Sequence, residues 1–172
     1  VKYVTIFGSA RLDANSEHYQ KAYKIAKALA AAGYGVVTGG GGGIMEAANR
    51  GAFEAGGDSI GINVILPNEQ QLNPYCTKSL TLNNLNERKE ALIKDSFAFI
   101  ILPGGFGTLD EAFEVLTLSQ ARLKEHKIIF TQKSFWEPLI GFLDSLGDMG
   151  LADKNGYIII DDIDEILEFL AV

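Results

Sequence analysis

The sequence has a single cysteine, Cys76, so no internal disulfide can form. That suits a reducing compartment, and Cys76 reads as a spectator rather than a nucleophile. Histidine is nearly as scarce: His18 and His126 stand alone and neither belongs to an HExxH pattern, so no metal site is expected. No apolar run approaches membrane-spanning length, and the amino terminus reads as a strand without a basic leader. We therefore expect a soluble, cytoplasmic protein without a membrane partner. Basic residues are outnumbered, 15 Lys and Arg against 22 Asp and Glu, giving a formal charge of −7. This argues against nucleic acid as a partner but leaves room for a small anion held by a few local donors.

The usual nucleotide signatures are missing too. No Gly-Lys pair occurs, which excludes the Walker phosphate loop. In the closest register to G-x-G-x-x-G, with Gly39 and Gly41 as the first two glycines, Ile44 stands where the third should be. Ser9 lacks the G-x-S-x-G elbow of hydrolases, so it is expected to contact a ligand rather than attack it.

What is present is a regular alternation within 172 residues, 47 % of them hydrophobic, enough for one domain over 1–172. Apolar runs such as "KYVTIFG", "GVVTG", "SIGINVIL", "FAFIILP", "KIIFT" and "GYIIID" alternate with helical patterns. Continuous apolar strands separated by helices predict an α/β fold, a Rossmann-like three-layer αβα sandwich with a mainly parallel central sheet. Only Pro67 to Leu82, polar and broken by Pro67 and Pro74, has no clear assignment. It is either a site-covering loop or a surface excursion.

Glycine is concentrated in three loops: "FGSAR" after the first strand, "TGGGGGIM" after the second, and "LPGGFGT" before the helical pattern "TLDEAFEVLTLSQARL". All three are expected at the carboxyl edge of the sheet, where open parallel sheets bind ligands. Glycine admits close backbone approach, and a following helix offers unpaired N–H groups and its positive dipole end, so an anion or nucleotide site is expected there. In the last helix Glu111 shares a stripe with Thr108, Val115 and Leu118, a largely apolar face that desolvates a carboxylate while the helix dipole opposes the effect. In "LNERKEALIKDS", Arg88 sits on a stripe with Leu85 and Leu92. It either snorkels outward or turns inward to a phosphate or to Glu111, with Lys89 as a second, adjacent charge.

In combination, "FGSAR", "VVTGGGGGIMEAANRGA", "LNERKEAL" and "LPGGFGTLDE" resemble, in order and over nearly the whole chain, the Lonely Guy (LOG) family with its PGGxGTxxE signature. Members of that family were long labelled possible lysine decarboxylases. The resemblance implies hydrolysis of the N-glycosidic bond of a nucleoside 5′-monophosphate, AMP or N6-substituted AMP, to free base (a cytokinin) and ribose 5-phosphate. It implies no cofactor and a homodimer or higher homo-oligomer. It assigns catalysis to Arg88 and Glu111, and phosphate or substrate binding to Lys89, Gly104, Gly105, Gly107 and Thr108. Gly8, Ser9 and the Gly40, Gly41, Gly42 to Met45 segment would line the nucleotide pocket. Two other readings stay open: a broader nucleoside monophosphate nucleosidase, and a non-catalytic nucleotide or molybdenum-cofactor carrier with similar glycine loops. A pyridoxal-phosphate lysine decarboxylase would need a Schiff-base lysine, and no lysine motif nominates one.

Overall fold

The structure is a computed structural model that describes residues 1–67, 71–121, 123 and 125–172. Seven parallel strands lie in the order β4-β3-β2-β1-β5-β6-β7. They are β1 Tyr3–Phe7, β2 Gly35–Thr38, β3 Ser59–Val64, β4 Lys78–Leu82, β5 Ser96–Ile101, β6 Lys127–Phe130 and β7 Ile158–Ile159. The helices are α1 Glu17–Ala31, α2 Ile44–Glu54, α3 Leu85–Lys94, α4 Phe106–Gln120, α5 Lys133–Asp148 and α6 Ile163–Ala171. The chain winds outward from β1 to β4, then returns to place β5 on the other side of β1. Between β1 and β5 the winding reverses, and such a switch point opens a crevice at the carboxyl ends of the strands.

Side-chain alternation along the central strands feeds two cores. Val4, Ile6, Val36, Ile100 and Ile129 pack under α1, α2 and α6, whereas Phe7, Val37, Phe99, Ile101 and Phe130 pack under α3, α4 and α5. Both faces of the sheet are therefore covered, which explains the nearly unbroken apolar strands.

The expected three-layer parallel fold is present, with two differences in detail. Lys78–Leu82, inside the stretch without an assignment, forms the parallel edge strand β4. Its side chains are nearly all exposed, and the alternation of Leu80 and Leu82 about Thr81 is too short to mark a strand. Of the stretch left open between a site-covering loop and a surface excursion, residues 68–70 lie outside the described residues. The helix after "LPGG" begins at Phe106, two residues before the helical pattern does, because Gly105 serves as its N-cap. Arg122, near the end of that pattern, lies outside the described residues.

A polar clamp ties α3 to the sheet beneath the switch point. Buried Thr5 of β1 donates through Oγ1 to the Leu92 carbonyl of α3 at 2.7 Å. With its one proton so committed, it accepts from Ser96 Oγ of β5 at 2.8 Å. Leu92 is one turn beyond Arg88, so the clamp sets the depth of the helix that carries the arginine. Thr5→Val keeps the shape but leaves a buried carbonyl and hydroxyl without this partner. We expect a loss of about 1–3 kcal/mol in urea unfolding, with an unchanged slope against denaturant.

Candidate functional site

The helix N-termini divide into two kinds. Ser16, Asn84 and Asp162 cap α1, α3 and α6 with their own side chains, and Asp161 accepts from the first N–H groups of α5. By contrast α2 and α4, which follow the glycine loops, have Gly43 and Gly105 as N-caps and no side-chain cap. The first N–H of α2 is not free either, because Ile44 N donates to Ser9 O at 2.8 Å. At α4 the first-turn N–H groups, those of Phe106, Gly107 and Thr108, have neither a side-chain cap nor an intrahelical acceptor.

These groups face a cavity of about 460 Å³ at the switch point, a size suited to a small molecule. The β1 loop contributes Gly8, Ser9 and Arg11, and the β2 loop Gly39 and Met45. Arg88 enters from α3, and Gly105, Phe106, Gly107, Thr108 and Glu111 from the start of α4. Ser9 holds the three loops together: its N–H donates to Pro103 O at 2.9 Å, its carbonyl accepts from Ile44, and its Oγ accepts from Arg11 N at 3.0 Å. A larger hollow of about 750 Å³, against α5 and residues 151–157, lies on the other side of α4 and contains none of these loop residues.

Arg88 turns inward. Its Nε donates to Ile62 O and its Nη2 to Gly39 O, both at 2.9 Å, with Met45 Sδ at 3.6 Å. A Cβ at position 39 would stand 1.8 Å from Nη2, so glycine there is a condition for the arginine's position. Gly104 has a similar role, since a Cβ on it would lie 2.1 Å from Thr108 Oγ1.

Glu111 sits in the second turn of α4, not the first, because the helix starts at Phe106. There the dipole has largely faded. Desolvation dominates and pushes the carboxyl up to about 7, with Asp110 adding to the effect and the cations of Arg88 and Lys89 opposing it. Burial likewise lowers the pKa of Arg88, opposed by the Glu111 charge. The site is thus an uncapped helix end beside a fixed cation and a carboxyl that changes charge near neutrality.

Not every expected residue lines the cavity. Gly40, Gly41 and Gly42 lie behind it, their loop bonded through the Gly40 and Gly41 carbonyls to Asn73. Gly104 supports Thr108 from beneath, and Lys89 points away to Asp110 at 3.2 Å and Glu114 at 3.7 Å. Conversely, Arg11 and Phe106 line the cavity although sequence reasoning did not nominate them. Both stand within the glycine-loop motifs "FGSAR" and "LPGGFGT", so proximity to Ser9 and Gly105 is the available signal.

Residues 45–170 match the family described as possible lysine decarboxylase, and the chain belongs to that family, the LOG family. Among its relatives is the rice cytokinin riboside 5′-monophosphate phosphoribohydrolase LOG, 28 % identical over 89 % of this chain and 64 % of the relative. The cytokinin riboside 5′-monophosphate phosphoribohydrolase of Rhodococcoides fascians is 27 % identical over 95 % of this chain and 86 % of its own. The chain spans 58 % of another similar rice protein, a probable cytokinin riboside 5′-monophosphate phosphoribohydrolase. Among solved structures, the molybdenum cofactor binding protein of Rippkaea orientalis superposes with a TM-score of 0.74, at 22 % identity, covering 99 % of this chain and 95 % of that one. That likeness establishes the fold.

The pKa of Glu111 fixes how its substitution affects stability. Below the ordinary carboxylate range the group is protonated in folded and unfolded chains alike and costs nothing. As pH rises toward about 7 the unfolded chain ionises first, so the folded state loses stability progressively, and the full cost remains above that. Glu111→Gln is therefore expected to raise the thermal midpoint above neutrality and to match wild type in acid; an equal gain at both pH values would contradict a desolvated Glu111.

Proposed function

We infer that the protein is a nucleoside 5′-monophosphate phosphoribohydrolase, cleaving the N-glycosidic bond to free base and ribose 5-phosphate, with N6-isopentenyl-AMP preferred over plain AMP. The observation that carries this reading is Glu111 in the wall of one cavity with Arg88, whose charge acts on it, and the open end of α4. The family's phosphoribohydrolase names support it.

In this reading the 5′-phosphate rests on the N–H groups of Phe106, Gly107 and Thr108, with Arg11 at the mouth. The ribose then lies over Glu111. As the C1′–N bond breaks, its electron pair leaves with the base and the sugar becomes oxocarbenium-like. Ionised Glu111 stabilises that charge, takes a proton from the water that adds to C1′, and returns it to the departing base, which leaves neutral as Glu111 regains its charge. Arg88, fixed by two carbonyls, holds the substrate against Glu111. The substrate phosphate is a further anion near Glu111 and favours its protonated form, so proton uptake is easy once the nucleotide is in place.

A lysine decarboxylase is the weaker reading: none of the described cavity-lining residues is a lysine that could form a Schiff base. The same proposal has the protein act in the cytoplasm without cofactor or nucleic acid, as a homodimer or higher homo-oligomer. Exposed Phe113 on α4 and Phe135, Phe142 and Met149 on or beside α5 support the oligomer, because apolar groups of this size on one pair of helices favour contact.

Incubation with AMP, N6-isopentenyladenosine 5′-monophosphate, GMP and CMP, followed by chromatography, tests the reaction. Free base with ribose 5-phosphate is expected, fastest from the N6-substituted nucleotide, and intact nucleotides throughout would leave the carrier reading. Turnover by Glu111→Gln should fall roughly 10²–10⁴-fold while nucleotide binding persists. The wild-type kcat/KM should rise with pH through about 7 as Glu111 ionises, and a rate that instead climbs as pH falls would assign Glu111 the role of acid.

A further inference from the structure

The loop Gly39–Gly43 consists only of glycine, so none of its own side chains can fix it, and its backbone conformation must be imposed from outside. Three contacts impose it. Thr38 Oγ1 accepts from Gly40 N at 2.9 Å, and Arg88 donates to Gly39 O. The third is Asn73, in the segment between β3 and β4, whose N–H donates to Gly40 O at 2.8 Å and whose Nδ2 donates to Gly41 O at 3.0 Å. Gly40 has φ +76, which the two Asn73 bonds bracket.

Asn73 is 6 % exposed, and its amide is fully used. Nδ2 also donates to Asn49 Oδ1 at 3.0 Å, and Oδ1 accepts from Tyr75 N at 3.0 Å. Asn49, wholly buried in α2, is satisfied in turn: Oδ1 accepts from Thr38 Oγ1 at 2.5 Å and Nδ2 donates to Ser59 Oγ at 2.9 Å. A buried polar network complete at every member has one arrangement, and removing a member leaves its partners unsatisfied. None of its side chains lines the cavity. Its outlet to the site is the Gly39 carbonyl, on which the Arg88 guanidinium rests.

We propose that Asn73 is a positioning residue: backed by Asn49, it sets the glycine loop that seats Arg88 opposite Glu111. The proposal rests on the phosphoribohydrolase reading for its effect on rate, but not for its effect on the geometry of Arg88. The segment around Asn73 is also attached at the surface, where Tyr75 packs edge-on against Phe53 at 6.2 Å and under Arg50 at 5.5 Å. That second attachment supplies a control, because Tyr75→Ala loosens the segment without removing the Asn73 side chain.

The test is a carboxyl-carbon NMR titration of Glu111 across neutral pH, its signal assigned by its loss in Glu111→Gln, in wild type, Asn73→Ala and Tyr75→Ala. The charges acting on Glu111 are Arg88, Lys89 and Asp110, and Arg88 is the strongest of those that lower its pKa. Displacing Arg88 in Asn73→Ala should therefore move the midpoint above about 7, whereas Tyr75→Ala should leave it in place. In parallel, kcat/KM for AMP should fall roughly 10- to 100-fold in Asn73→Ala, as expected for a misplaced catalytic group, and stay near wild type in Tyr75→Ala. An unmoved Glu111 midpoint in folded Asn73→Ala overturns the proposal. If Asn73→Ala does not fold, Asn73→Ser, which retains a short hydroxyl, carries the same expectations. If wild type releases no base from AMP, the hydrolase reading falls while the titration still decides the positioning role.

Discussion

The guanidinium of Arg88 occupies the space that a side chain at position 39 would need, and it is held there by the carbonyls of Ile62 and Gly39. Those two contacts connect α3 to β3 and to the β2 loop, so one cation joins elements that the sheet alone brings only to a common edge. A long, mobile side chain is thereby fixed before any ligand arrives, and its remaining N–H groups need no reorganisation to receive an anion. The clamp at Thr5 sets the depth of α3 from below, and the glycine loop sets the lateral position from above.

Electrostatics at the site reverse those of the molecule. The chain carries a formal charge of −7, yet the cavity has Arg11, Arg88 and the open end of α4 in its wall, against one carboxyl among the described lining residues. That carboxyl is set back from the helix end by one turn, so the dipole that welcomes an anion at Phe106 to Thr108 does little to ionise Glu111. In the proposed mechanism, separation of these two effects along one helix is what would let the same element hold a phosphate and keep Glu111 near neutrality.

Much of this was legible in the sequence because it rests on periodicity and loop chemistry. The layers and the parallel sheet followed from apolar runs such as "FAFIILP", whereas Arg88 on the Leu85 and Leu92 stripe left outward and inward positions open until its bonds to Ile62 and Gly39 decided between them. The β4 strand escaped because its apolar alternation is only Leu80 and Leu82 within a polar stretch, and the start of α4 because a glycine cap leaves no Ser, Thr, Asp or Asn to mark it. The five-glycine loop has the composition of a ligand cradle, yet Gly40, Gly41 and Gly42 lie behind the wall. Glycine marks close approach without saying what approaches, and here it is largely protein. Asn49 and Asn73 gave no signal at all, since 24 residues separate them and only the fold brings their amides to 3.0 Å.

A crystal structure of Glu111→Gln with bound AMP tests this arrangement most directly. The phosphate should rest on the N–H groups of Phe106, Gly107 and Thr108, with C1′ over position 111 and Arg88 still bonded to Gly39 and Ile62. A phosphate seated instead on Gly40 to Gly42, with C1′ remote from position 111, would contradict it.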